Sequence, residues 1–266
     1  WKVLGTSVPR PNQRDLVTGA HRFPSDIVRP GMLRGRVLRP PSFGARLVSL
    51  DASKAKALEG VTVIHDGDFA GCAAATTAQA SKALEALAAG AVWEPAPHPS
   101  SEKLFEHLKA HTREERRGGG DGKSVADALA GASKVLRAAY QTAYIQHAPM
   151  ETRAAVAEWE GDRLTVWTGS QAPFGVHSEI ARTLGIPQDR VRVVIPDFGG
   201  GFGGKHSGEC AIEAARLARA AGRPVSVRWS REEEFTWAYF RPAALIEIEA
   251  GLDGKGALTA WSFTNI

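Results

Sequence analysis

The 266-residue chain carries 33 Lys+Arg against 29 Asp+Glu, a formal net charge of +4, with 43% hydrophobic and 23% charged residues. That balance belongs to a folded globular protein with room for one large or two modest domains, and the charge is too dilute to specify nucleic acid. No apolar run reaches the roughly 18 residues that span a bilayer. Two cysteines, Cys72 and Cys210, are too few for a disulfide framework or a four-ligand metal site.

Taken in order, the first segment alternates strand and helix patterns. Met32 to Leu38 and Ala45 to Leu50 read as short strands, the first preceded by Pro30-Gly31 and the two separated by Pro40-Pro41. A short helix over Ala52 to Leu58 leads to a strand at Val61 to His65. Asp66-Gly67 then turns a hairpin into a return strand at Phe69 to Ala75. Thr76 and Gln79 have capping-box spacing and open a helix through Ala89 that Gly90 closes. Residues 96–123 read as a linker. Pro95, Pro97 and Pro99 alternate, a short helix fits Leu104 to Lys109, and a mixed charge run, Arg113 to Arg117, enters Gly118-Gly119-Gly120.

Beyond Val125 the pattern predicts a strand at Val135 to Tyr144 and a hairpin of Arg153 to Trp159 with Arg163 to Thr168 around Glu160-Gly161-Asp162. A helix over Phe174 to Leu184 stops at Gly185, and Val191 to Ile195 is a β-branched strand. A second helix runs from Ser207 to Ala221, ended by Gly222 and Pro224. A strand at Val225 to Trp229 and a final hairpin at Asp253-Gly254 follow. Six tryptophans (Trp93, Trp159, Trp167, Trp229, Trp237 and Trp261) fall on or beside these strands, where core or interface packing is the first expectation. The fold class is α+β. The chain begins at Trp1 without an initiator Met or signal-peptide pattern and stops at Ile266 inside a strand run. Both ends are therefore expected to have been cut from something longer.

The most informative stretch is Gly199-Gly200-Gly201-Phe202-Gly203-Gly204-Lys205-His206, between a strand and a helix. Free amides at a helix start favour an anion, and glycines allow close approach and positive φ. Gly199, Gly201 and Gly204 also satisfy the dinucleotide fingerprint, with Glu232 as a distant ribose-binding acid. A P-loop would need Ser or Thr where His206 stands. A turn with no ligand is the bland alternative, with Phe202 as an apolar anchor, Lys205 on the surface and His206 a structural histidine at the helix start.

Asp197 to Lys205 (DFGGGFGGK) resembles the molybdopterin loop of the xanthine dehydrogenase and aldehyde oxidase family of molybdenum hydroxylases. Other segments resemble the family in the same order. They are Val17-Thr18-Gly19, Ser25-Asp26-Ile27 and Pro30-Gly31-Met32-Leu33; then Gln146-His147-Ala148-Pro149-Met150-Glu151; then Val166-Trp167-Thr168 with Gln171 and Pro173; then Leu184-Gly185-Ile186-Pro187; and finally Gly222-Arg223-Pro224-Val225 with Arg231-Glu232-Glu233-Glu234-Phe235.

The resemblance implies an α/β hammerhead domain over residues 15–95, followed over residues 124–266 by the first part of the molybdopterin-binding domain of a large subunit. It implies hydroxylation of an aldehyde or N-heterocycle with water as the oxygen source, and electrons leaving through [2Fe–2S] clusters on a partner subunit or domain. The cofactor, molybdopterin or its dinucleotide form with molybdenum, carries the chemistry while the protein positions it. By resemblance Gly200, Gly201, Phe202, Gly203 and Gly204 approach that cofactor. Gln146 is placed near a metal ligand, although register against Glu151 puts the family's glutamine one position earlier, at Ile145. His206 faces the substrate where purine-oxidising relatives carry a glutamate. Lys205 supports the loop or neutralises anionic charge. The family's general base is a glutamate in a G-x-G-E motif, which these residues lack, as they lack the iron–sulfur cysteine pattern. The chain alone is therefore expected to be inactive and to need the rest of the large subunit, or a second chain, and an iron–sulfur partner. The cytoplasm is favoured over the periplasm. Two further readings stand beside this one: a dinucleotide-dependent dehydrogenase, which needs a parallel sheet with the loop at its switch point, and a non-catalytic assembly module.

Overall fold

The computed structural model describes residues 1–112 and 122–266. The charge run at 113–117 and the three glycines after it lie outside the described residues. The chain forms two compact units, Trp1–Ala96 with His147–Tyr239, and Pro97–Gln146 with Phe240–Ile266. The first thus joins residues from both sides of the division drawn at the linker.

The first unit opens with α1 (Gln13–Thr18), β1 (Leu33–Val37), β2 (Arg46–Leu50), α2 (Ser53–Lys56), β3 (Thr62–Asp66), β4 (Phe69–Ala74), α3 (Thr77–Ala89) and β5 (Ala91–Glu94). The second contributes α4 (Leu104–Ala110), α5 (Gly122–Ala130), β6 (Lys134–Thr142) and β7 (Ile145–Gln146). The first resumes with β8 (Ala154–Glu160), β9 (Arg163–Thr168), α6 (Pro173–Leu184), β10 (Val191–Val194), α7 (Glu209–Ala221), β11 (Val225–Arg228) and α8 (Arg231–Thr236). The second closes with β12 (Phe240–Arg241), β13 (Ala244–Leu252) and β14 (Leu258–Asn265).

The first unit is built on a seven-stranded mixed sheet in the order β10-β9-β8-β11-β1-β4-β3. Its core face follows from strand alternation: Leu33, Gly35 and Val37 of β1 are buried, while Arg34 and Arg36 between them are only half-buried. Helix α7 lies on that face and buries Cys210, Ala211, Ala214, Ala215, Leu217 and Ala218, a mostly small-residue stripe that lets helix and sheet approach closely. A Cβ on Gly35 would meet Leu217, Val225 and Val227 side chains at 2.8, 2.8 and 2.9 Å, so glycine is what admits Leu217 there. Trp159 Nε1 donates to the Ala215 carbonyl at 2.9 Å and ties the helix to β8.

In the second unit β6, β13 and β14 form an antiparallel sheet, with Ala250 opposite both Leu136 and Trp261. Asp253 Oδ1 accepts from the Lys255 and Ala257 amides at 2.8 and 2.9 Å, which closes the last hairpin at the expected place.

Several expectations need correction. Helix α7 begins at Glu209 and not at Ser207, because Gly208 caps it and donates its amide to Glu179 Oε2 at 2.8 Å. The segment from Arg231 forms a short helix, and β5 supplies an unforeseen partner for β2. Trp229 is buried as expected, but Trp261 is half exposed. Among the described residues the sheet a dinucleotide fold would need is absent: of the six pairings in the seven-stranded sheet only β1/β11 and β9/β10 are parallel.

Candidate cofactor loop

The glycine segment connects β10 to α7, within the first unit. Its backbone turns sharply: Gly200 and Gly203 have φ of 91° and 96°, and Phe202, a non-glycine residue, has φ of 52°. Such a conformation costs an ordinary side chain about 1–2 kcal/mol and is informative where it persists.

The glycines owe their identity largely to neighbouring side chains. A Cβ on Gly199 would lie 2.5 Å from Glu151 Cβ, one on Gly201 would lie 2.4 Å from Gln171 Oε1, and one on Gly204 would lie 2.9 Å from the His147 ring. The loop is therefore threaded among Glu151, Gln171 and His147. The reading that glycine density alone signals close ligand approach is too simple.

Those residues also satisfy the loop's polar backbone. Glu151 Oε2 accepts from the Gly199 amide at 2.8 Å, and its Oε1 accepts from Ser25 N and Oγ at 3.1 and 2.9 Å. The Glu151 amide donates back to Gly199 O at 3.2 Å. Gln171 Oε1 accepts from the Gly203 amide at 2.9 Å, and the Gln171 amide donates to Lys205 O at 2.8 Å. Arg153 donates from its amide to Glu234 Oε2 at 2.9 Å and from its guanidinium to Glu234 Oε1 and to Gly204 O. It also stacks on Trp229 with its guanidinium carbon 5.3 Å from the ring centre. His147 Nδ1 lies 3.1 Å from Tyr239 O, with the two rings stacked. Outside the loop, Arg39 forks onto Glu213 and reaches Glu233 at 2.9 Å, and Glu233 caps α8 reciprocally with Ser230.

What this leaves open is the tip. Among the described residues the consecutive amides of Gly201 and Phe202 have no hydrogen-bond acceptor. Two adjacent donors at a left-handed residue form the kind of concavity that holds an anion or a ligand oxygen. The residues present therefore fit an anionic, oxygen-bearing group at the tip.

Of the residues picked out from sequence, Gly200, Gly201, Phe202, Gly203, Gly204 and His206 lie on this one segment, and Phe202 and His206 are exposed. Phe202 is 73% exposed, which overturns the idea of a core anchor. Lys205 is not a surface lysine: it is 2% exposed, and burial lowers its pKa against the pull of Glu151 and Glu234. Gln146 lies in the second unit on β7, paired with Phe240. Glu232, the imagined ribose acid, lies in the first turn of α8. Sequence reasoning noted Glu151, Gln171, His147 and Glu234 only as motif letters, and Arg153 only as the start of a strand. His147, Glu151 and Arg153 lie close together in the sequence, whereas Gln171 and Glu234 come from far along the chain and carry no local signal. Among the described residues no group of three His, Cys, Asp or Glu could hold a metal ion, and no helix is long and apolar enough to cross a membrane.

A mixed sheet carrying a polar-braced glycine loop between strand and helix, with two free amides at its tip, offers a pair of adjacent donors to an anion or a ligand oxygen. A family model described as the molybdopterin cofactor-binding domain matches residues 105–266. The chain belongs to that family, as a molybdopterin-binding large-subunit portion of the xanthine dehydrogenase and aldehyde oxidase class. A nicotinate dehydrogenase subunit of Pseudomonas putida is 29% identical over 274 residues, covering 99% of this chain and 23% of that protein. The aldehyde oxidoreductase molybdenum-binding subunit PaoC of Escherichia coli is 38% identical over 144 residues, 53% of this chain and 20% of the relative. Among solved structures, quinoline 2-oxidoreductase from Pseudomonas putida 86 superposes with a TM-score of 0.80 at 29% identity, over 98% of this chain and 39% of that one. The chain thus spans between 20% and 39% of the length of these proteins.

Proposed function

We propose that this chain provides the first cofactor-binding portion of a molybdenum hydroxylase that oxidises an aldehyde or an N-heterocycle with water as the oxygen source and passes electrons to [2Fe–2S] clusters on a partner subunit. The observation that carries the reading is the loop tip, where Gly201 and Phe202 offer two free amides in a chain of the molybdopterin-binding family. The names of the matched relatives, which mention nicotinate, aldehydes and quinoline, support the substrate class. Residues 15–95 are read as the hammerhead domain, and the strand–helix alternation of β1 to β5 supports this.

When bound, molybdopterin supplies the two-electron redox chemistry. The chain's own part would be to bind and orient: the Gly201 and Phe202 amides would hold an oxygen-bearing part of the cofactor, and the exposed Phe202 side chain would offer it an apolar contact. Gln146 is assigned to the cofactor by the resemblance of its motif, and His206, exposed at the end of the loop, to the substrate. The general-base glutamate is assigned to another part of the large subunit.

The test is molybdenum by mass spectrometry and pterin by fluorescence of its oxidised form, in the same fractions of the full-length protein purified from its host. Near-stoichiometric amounts of both are expected, with turnover in a screen of aldehydes and N-heterocycles. Absence of both, with intact iron–sulfur partners present, would sink the reading and favour a cofactor-free assembly module.

A further inference from the structure

Among the described residues Lys205 is the largest of the fully buried side chains, and its environment differs from that of a cation poised for a ligand. Its ammonium donates to the Glu151 carbonyl at 2.8 Å and lies 3.7 Å from Glu151 Oε2. The Phe198 ring is 5.4 Å from Nζ. At the other end of the loop, Gly199 exchanges two hydrogen bonds with the same residue, one through the Glu151 amide and one through its carboxylate. Positions 199 and 205 therefore both terminate on residue 151. Between them Gln171 Oε1 takes the Gly203 amide, and Arg153 takes the Gly204 carbonyl. Of the amides from 199 to 205, only the two at the tip remain open.

We infer that Lys205 is a positioning residue, a clasp that closes the loop onto Glu151 and so holds the Gly201 and Phe202 amides in their binding geometry, without itself touching cofactor or substrate. A buried ammonium is tolerated only with a partner, and here the partner is a backbone carbonyl and carboxylate of the residue that also grips the loop's entrance. The carboxylate shares its charge among Lys205, the Gly199 amide and Ser25, so loss of the ammonium loosens the whole ring. This inference rests on the molybdopterin reading for the identity of the ligand. The clasp itself rests on the loop alone.

The experiment compares full-length wild type with Lys205→Met, Lys205→Arg and Glu151→Gln. Hydrogen–deuterium exchange is followed by peptide, with molybdenum and pterin content measured on the same preparations and KM and kcat normalised to molybdenum. Lys205→Met is expected to raise exchange across 199–205 at least tenfold while the β8 and β9 peptides stay protected. It should also reduce cofactor content at least fivefold and leave the KM of the loaded fraction unchanged. Lys205→Arg should not rescue, because a guanidinium does not fit the lysine's space. Glu151→Gln has a single side-chain oxygen, which can accept from Gly199 or from Ser25 but not both, while the residue 151 carbonyl still accepts from Lys205. It should show the same local loosening and serves if Lys205→Met does not fold. Unchanged loop exchange with full cofactor content would overturn the clasp, and so would a normal loop with a changed KM, which would mean direct contact with substrate. Wild type that lacks molybdenum and pterin would overturn the cofactor reading, while the exchange data would still decide the clasp.

Discussion

Phe202 is the residue at which backbone and function pull against each other. Its φ of 52° strains an ordinary side chain, and its ring is too exposed to repay that by burial. Phe202→Gly should therefore stabilise the protein by about 1 kcal/mol in urea unfolding while lowering cofactor retention. Stability that falls instead would show the ring to be structural. Glu234 is the opposite case: it is wholly buried against Arg153, and Glu234→Gln leaves that guanidinium without its nearest counter-charge. A loss of about 3–5 kcal/mol is expected by the same measurement. Lys205 adds a pH signature. Burial lowers its folded pKa below the ordinary 10.5. Between those two values the unfolded chain holds more protons than the native one, so this group makes stability rise with pH across the window and is constant below it. The wild type minus Lys205→Met difference in unfolding free energy should therefore increase in the wild type's favour as pH climbs through that window toward 10.5. A difference flat with pH would mean that the lysine stays charged throughout.

At the scale of elements, α7 on the sheet is the main packing event of the first unit. Leu217 spans the gap over two glycines, since a Cβ on Gly71 would meet it at 3.4 Å and one on Gly35 at 2.8 Å. Leu217→Ala should cost about 2–5 kcal/mol, read as a lower urea midpoint at unchanged slope. Elements with local causes were legible in the residues. Asp66-Gly67 and Glu160-Gly161-Asp162 turned the hairpins they predicted, and Gly185 and Gly222 end α6 and α7 in the left-handed conformation. Helix α8 was equally local, as Ser230 and Glu233 form a reciprocal capping box, and that spacing went unread. Other features depend on partners far along the chain and leave no local trace. Strand β5 exists because β2 needs a neighbour, and Gly199, Gly201 and Gly204 are glycines because Glu151, Gln171 and His147 occupy the adjoining space. For Lys205 the resemblance suggested loop support, but its burial and its partner, the Glu151 carbonyl, depend on tertiary contacts that the sequence does not display.

At the scale of the whole molecule, both cysteines lie in the first unit, buried and donating to carbonyls: Cys72 to Ala80 O at 3.3 Å and Cys210 to Val227 O at 3.5 Å. Burial pushes the Cys72 thiol up to about 11 and raises Cys210 well above the ordinary range. Neither forms thiolate at neutral pH, so iodoacetamide should leave both unlabelled in the native protein by peptide mapping and modify both in urea. Labelling of Cys72 alone under native conditions would reveal local opening around α3. The sheet's topology has a consequence during synthesis. Strand β1 lies between β4, close behind it in the chain, and β11, where Leu33 pairs with Val225. At roughly 5–20 residues per second, the second partner leaves the ribosome on the order of ten to thirty seconds after the first. For that interval the future centre of the sheet is an open edge on the nascent chain, and a chaperone that shields β-edges would find its substrate there.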